Sequence, residues 1–198
     1  AAYPASIADI HYAVRWAKAN ADQLETQPDC IGLIGESSGA HQAVLLAMRP
    51  TDPRYASIPM PDHPALDAGV RYVVSCWGIV DPFARYRMAV EKDITPLLAA
   101  HRAYWGDEAA MSEGSPQRIL ERNETVQLPA LLLLQGTADQ NIDWRIAEKF
   151  AGIWRQRGGS VDLRLYEGAV HGFIRAPYDA DSQDALARIR DFIRRMTS

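Results

Sequence analysis

The sequence predicts an α/β fold with a mostly parallel sheet, on three observations. Four short apolar runs have strand character: 30–35 (CIGLIG), 70–77 (VRYVVSCW), 130–135 (ALLLLQ) and 161–166 (VDLRLY). Between and around them, apolar residues return at the three-to-four spacing of a helix, and strands alternating with helices build a sheet between helical layers. The first run is unbroken and ends in Gly35, as a strand buried on both faces does.

Ile7, Ile10, Val14 and Ala17 recur at helical spacing, and Ser6 with Asp9 can form an N-terminal cap for that first helix. After the 30–35 run, residues 40–48 (AHQAVLLAM) read as a second helix. A loop with Pro50, Pro53, Pro59, Pro61 and Pro64 then leads to the 70–77 strand. Segment 81–127 is mixed and long. Past the 130–135 strand, Ile146, Phe150, Ile153 and Arg157 mark a helix that stops at Gly158-Gly159. The alternating 161–166 strand follows. The last helix carries Leu186, Ile189, Phe192, Ile193 and Met196 on one side. Asp181 and Asp184 lie near its start and Arg190, Arg194 and Arg195 near its end, matching the helix dipole.

The chain holds 198 residues, 47% apolar and 23% charged, which suits a single domain with its own core and excludes a disordered chain. A net charge of −4 supplies no basic face for nucleic acid. Uninterrupted apolar stretches such as Ala130 to Leu134 are too short to span a bilayer. No basic-then-apolar leader is visible, so a cytoplasmic location is expected, although an exported and processed protein would read alike. Cys30 and Cys76 lie at or inside strands, where reduced thiols are expected. No Cys/His cluster or HExxH spacing supports a metal site.

Gly35-Glu36-Ser37-Ser38-Gly39 has the G-x-S-x-G pattern. Glycine and serine are common, so the pattern gains its weight from its place: an apolar strand ends at Gly35 and a helix begins at once. A sharp strand-to-helix turn strains its central residue and exposes that side chain. On this reading both glycines are required, because a Cβ at either would collide across the turn. The free N–H groups opening the helix then face the serine and can bind developing negative charge. The competing reading is a Gly/Ser-rich loop that merely caps a helix.

A serine hydroxyl needs a base to take its proton and an acid to orient that base. With this kind of turn the chain order is serine, acid, histidine, on loops after successive strands. The 130–135 run leads into Gly136-Thr137-Ala138-Asp139, and the 161–166 run into Gly168-Ala169-Val170-His171-Gly172-Phe173. Both candidates fall just past the carboxyl end of a strand, where open α/β sheets place their sites.

On these residues, GLIGESSGAH at 32–41, LLLLQGTADQNI at 131–142 and YEGAVHGF at 166–173, the chain resembles the α/β-hydrolase superfamily. The likeness is to its microbial esterase/lipase (carboxylesterase-like) branch and runs along essentially the whole chain. It implies an α/β-hydrolase fold with a helical cap-like insertion, Ser37 as nucleophile, Asp139 as acid and His171 as general base. It also implies the Ser38 N–H as one oxyanion donor, a small-molecule ester substrate and no cofactor. Such proteins carry several strands and an HGG-type loop ahead of the first helix, and residues 1–29 contain neither. The chain therefore reads as the carboxyl-terminal two-thirds of a hydrolase, and an N-terminal segment or a second chain is expected to complete the sheet. Two alternatives stay open: the same triad acting on an amide, and a non-catalytic binding protein on a hydrolase scaffold.

Other residues compete for roles. His41 follows Ser37 by one helical turn and is expected to pack rather than act as the base. His11, His63 and His101 stand in no motif and read as surface or satisfied polar residues. Asp81, after the 70–77 strand, is the rival acid; Asp143 is expected to cap the next helix. Glu36 reads as a strut packed near the elbow. The connection 81–127 exceeds the ~12–15 residues beyond which loops carry function or structure of their own. It holds Phe83, Tyr86, Met88, Tyr104, Trp105 and Met111, which either form an apolar pocket over the site or pack the insertion onto the sheet. Trp77, Trp105 and Trp144 are the candidate substrate contacts. No charged clamp is evident, so a neutral or weakly apolar substrate is expected.

Overall fold

The computed structural model describes residues 1–198. Helix α1 (Ala5–Ala19) precedes strand β1 (Gly32–Glu36), helix α2 (Ser38–Met48) and strand β2 (Tyr72–Cys76). Four helices follow: α3 (Pro82–Glu91), α4 (Thr95–Trp105), α5 (Glu108–Glu113) and α6 (Pro116–Glu121). Strand β3 (Ala130–Gly136), helix α7 (Trp144–Gln156), strand β4 (Val161–Tyr166) and helix α8 (Ala180–Thr197) complete the chain. The strands pair in parallel in the order β1-β2-β3-β4; β2 and β4 lie inside their expected runs, and β1 and β3 each extend one residue past theirs, to Glu36 and Gly136.

Successive side chains of a strand point to opposite faces, and this alternation divides the core in two. Val73, Leu131 and Leu133 pack with Leu45 of α2 and with Phe150 and Trp154 of α7. Tyr72, Val74, Leu132 and Leu134 pack with Ala185 and Phe192 of α8 on the other side. Burying each such leucine contributes about 1.5–3 kcal/mol. This three-layer arrangement brings the carboxyl ends of all strands to one edge of the sheet.

Several expectations need correction. Strand β1 has one neighbour in the sheet, so it is an edge strand with Ile34 54% exposed, and burial on both faces belongs to β2 and β3 instead. Ser6 and Asp9 do not cap α1, whose N-cap position is Pro4; the Ser6 hydroxyl pairs with the Tyr104 hydroxyl at 2.7 Å. Leu186 is 49% exposed, because Ala185 takes the inward position of that turn and carries the apolar stripe on to Ile189 and Phe192. Both cysteines are free thiols, and burial pushes Cys76 up to about 12. No helix is long and apolar enough to cross a membrane.

The α3–α6 insertion is tied to the first half of the chain through Glu113. Its carboxylate accepts from the Tyr3 hydroxyl and from the Arg49 and Arg54 guanidinium groups. Burial works to raise this carboxyl, but those three donors outweigh it and hold Glu113 at about 2.

Candidate active site

The turn between β1 and α2 is built by backbone sterics. Ser37 adopts φ 51° and ψ −114°, a region costly for a residue with a Cβ and characteristic of strained functional turns. Its own peptide holds it there: the N–H donates to Cys76 O at 3.0 Å, and the carbonyl accepts from the N–H of His41 at 3.2 Å and of Ile79 at 3.3 Å. A Cβ on Gly35 would lie 2.4 Å from the Gly39 carbonyl oxygen and 2.5 Å from the Ala40 nitrogen, so only glycine fits. A Cβ on Gly39 would meet open space, so the collision expected for both glycines applies to Gly35 alone. Ser38 opens α2 and has no carbonyl one turn behind it in the helix for its N–H to join.

The loops after β3 and β4 are zipped together. Thr137 N–H donates to Tyr166 O at 2.9 Å, Ala138 N–H to Ala169 O at 3.0 Å, and Gly168 N–H to the Thr137 hydroxyl at 2.8 Å. Gly136 permits this approach, since a Cβ there would sit 2.2 Å from the Ala169 carbonyl oxygen.

These three turns bring Ser37, Asp139 and His171 together. His171 Nε2 lies 3.2 Å from Ser37 Oγ, and Nδ1 lies 2.8 Å from Asp139 Oδ2. The Asp139 side chain is fully buried while the His171 side chain is 28% exposed, so the carboxylate is sequestered and the imidazole remains reachable. Asp139 Oδ1 accepts from the N–H of Asn141 at 2.8 Å and of Ile142 at 3.0 Å. Its Oδ2 also accepts from the Gln135 amide at 3.0 Å. Burial works to raise this carboxyl, yet the His171 ring and the two backbone donors outweigh it and hold it below the usual range. An ionised acid on Nδ1 leaves Nε2 free to accept from the serine. The Trp77 ring stands edge-on to His171 at 6.2 Å between centroids, and Phe173 packs on Trp77 at 5.3 Å.

The other candidate residues have partners of their own. Asp81 caps α3, accepting from Ala84 N–H at 3.1 Å and from the Ser115 hydroxyl at 3.3 Å, and makes no bond to His171. Asp143 caps α7 through Arg145 N–H at 3.0 Å. His41 is buried with Nε2 on the Gly114 carbonyl at 2.9 Å, and burial pushes it down to about 4. His11 is buried on the Pro50 carbonyl at 2.9 Å, and His63 is exposed. Glu36 is not packed: it is exposed and meets Arg175 at 3.2 Å.

A cavity of about 300 Å³ opens beside the serine, lined by Ser37, Ser38, Ile79, Arg85, His101 and Trp105, among others. Of the three candidate tryptophans only Trp105 lines it. Trp77 is buried in the core beneath His171, and Trp144 at the start of α7 lies under the Arg145 guanidinium, 4.7 Å from its ring centroid. Tyr104 also lines the cavity, whereas Phe83 stacks on Arg118 at 3.8 Å and Tyr86 packs on His101. The wall is not purely apolar either, because Arg85 and His101 are part of it. Three residues went unread in the sequence: Gln135, Asn141 and Arg85. A buried polar residue closing an apolar strand was the signal for Gln135; no pattern marks the other two.

Comparison with known proteins agrees with this architecture. Esterase LipC of Mycobacterium tuberculosis is 28% identical over 178 residues, covering 86% of this chain and 41% of that protein. Esterase LipQ of the same organism is 32% identical over 174 residues, covering 86% of this chain and 39% of that protein. The chain thus spans about two fifths of the length of these curated relatives. Among solved structures, a propionate-bound esterase from Thermogutta terrifontis superposes with a TM-score of 0.72 at 22% identity, over 96% of this chain and 64% of that one. A truncated carbohydrate esterase from gut microbiota superposes with a TM-score of 0.74 at 18% identity, over all of this chain and 70% of that one. At those identities the likeness is one of fold, and the fold is that of the α/β-hydrolases. The BD-FAE family matches residues 1–152, three quarters of the sequence including the serine turn and Asp139, and the chain belongs to that family.

Proposed function

We propose that this chain hydrolyses carboxylic esters through an acyl-enzyme on Ser37. The observation that carries the reading is the continuous relay from Ser37 Oγ through His171, at 3.2 and 2.8 Å, to a buried carboxylate. His171 Nε2 takes the proton from Ser37 as Oγ bonds to the ester carbonyl carbon. The oxyanion that forms is held by the Ser38 N–H at the start of α2. The C–O bond to the alcohol then breaks, and His171 returns its proton to the departing alkoxide. Water repeats the sequence against the acyl-enzyme and frees the acid, while Asp139 stabilises the imidazolium in both halves. The esterase relatives support an ester as substrate, and the same groups would serve an amide.

Labelling with a fluorophosphonate and turnover of 4-nitrophenyl acetate test the reading together. One adduct per chain and measurable turnover are expected, both lost in Ser37→Ala, with kcat falling by about 10⁴- to 10⁶-fold. Absence of adduct on folded protein would make the scaffold non-catalytic. Faster cleavage of a matched anilide than of its ester would make the enzyme an amidase.

A further inference from the structure

The proposed ester hydrolysis leaves Arg85 without a task, although it lines the same cavity as Ser37. The residue is only 7% exposed, and no carboxylate lies within ion-pair distance of its guanidinium. Its partners are neutral: Nε donates to the Asn141 carbonyl at 3.2 Å and side-chain oxygen at 2.9 Å, one terminal nitrogen to that same side-chain oxygen, and the other to His101 Nε2 at 2.9 Å. A guanidinium has five N–H groups, so two remain unassigned. Burial and the adjacent cation push His101 down to about 4, which keeps its ring neutral. With Nε2 accepting from Arg85, the ring proton sits on Nδ1, and that atom is buried without any partner.

The acids of the neighbouring segments are committed elsewhere. Asp139 is bound by His171, Gln135 and two backbone N–H groups, and Asp81 by Ala84 N–H and Ser115. Asp139 favours the Arg85 cation through space without pairing with it, and burial still outweighs that attraction and pushes the guanidinium down to about 10. A buried cation with no directly paired carboxylate is unfavourable, so the pairing charge is one that arrives with a ligand. From this geometry we infer that Arg85, assisted by His101, is a subsite for a carboxylate, and that the preferred ester carries a free carboxylate on one of its limbs. Planar, forked guanidinium donors match that group and hold it with charge-assisted hydrogen bonds. The inference takes its reaction from the esterase reading, but its ligand site stands on Arg85 alone. Arg85 also braces Asn141, whose N–H donates to Asp139, and a mere brace would affect every substrate alike.

Two measurements separate these roles. In the first, monomethyl succinate is titrated calorimetrically into Ser37→Ala, where no turnover occurs. Saturable binding is expected, weakened about 10- to 100-fold when Arg85→Gln is added and partly recovered with Arg85→Lys. Absence of binding, or binding indifferent to Arg85, would overturn the subsite. In the second, kcat/KM is compared for 4-nitrophenyl hemisuccinate against 4-nitrophenyl butyrate, and for acetoxyacetate against 2-methoxyethyl acetate. The first pair places the charge on the acyl limb and the second on the alcohol limb. For one pair the anionic-to-neutral ratio should fall about 10- to 100-fold in Arg85→Gln and rise again in Arg85→Lys. An equal loss on all four esters would leave Arg85 as a brace only. Binding without any turnover by the unmodified chain would sink the esterase reading and leave the carboxylate site intact.

Discussion

The turn face carrying Ser37, Asp139 and His171 and the cavity wall beneath α3 and α4 meet at the serine, but different physics holds each. At the turn face, backbone collisions and short peptide bonds leave one arrangement: Gly35 admits no side chain, and Asp139 has both oxygens occupied twice over. At the cavity wall, a buried guanidinium has only neutral partners and a buried ring nitrogen has none. The insertion that forms this wall is anchored by the charged cluster around Glu113 rather than by tight turns. The groups of the turn face thus satisfy one another, whereas the cavity wall keeps polar groups without a partner inside the protein.

The strongest way to test that contrast is at the acid. Asp139→Asn should keep the fold yet lower kcat for 4-nitrophenyl acetate by about 10⁴-fold, because the amide holds the wrong imidazole tautomer. A loss below tenfold would mean that the turn face does not work as one unit.

The two glycines of the turn sharpen the steric half of the comparison. Gly35→Ala should destabilise by about 1–3 kcal/mol or more, since backbone atoms block the new Cβ. Gly39→Ala should be neutral or stabilising by up to about 1 kcal/mol, because it adds helix propensity in open space. Urea midpoints of the two variants check this, and equal losses would contradict the asymmetry.

The anchor of the insertion should show itself in acid. Glu113 titrates at about 2 in the folded chain, below its ordinary value of 4.5. Its stabilisation is therefore complete above that ordinary value and is lost as pH falls through about 2. Glu113→Gln should lower the urea midpoint at pH 7, and the gap to the parent chain should close progressively between pH 4.5 and 2. A gap independent of pH would show that the cluster acts by packing alone.

The smallest effect concerns the rival acid. Asp81→Ala removes the cap of α3 and should cost about 1 kcal/mol of stability, with fluorophosphonate labelling of Ser37 unchanged. Slower labelling would return Asp81 to the catalytic relay.

Much of the fold was legible in the residues. All four strands overlap runs recognisable from apolar content, and α1, α2, α7 and α8 follow from apolar spacing, whereas the four helices of 81–127 carry no such clear period. The serine turn and the order Ser37, Asp139, His171 were readable because each lies beside a strand end, where a few consecutive residues decide the backbone. Other features were read wrongly for physical reasons. CIGLIG has the composition of a central strand, but exposure of Ile34 depends on the neighbours that β1 has. Three tryptophans look alike in sequence, while only Trp105 reaches the cavity.

What the sequence by itself determined is local: strand and helix periods, the sterics that demand Gly35, and the placement of Ser37, Asp139 and His171 beside successive strand ends. What only the tertiary structure decided is which distant polar groups share one buried space. Arg85 and Asn141 are 56 positions apart, and no pattern in either segment foretells their contact. Backbone sterics act between neighbours and leave a trace in the residue order; the field at a buried charge depends on every group folded around it and leaves none.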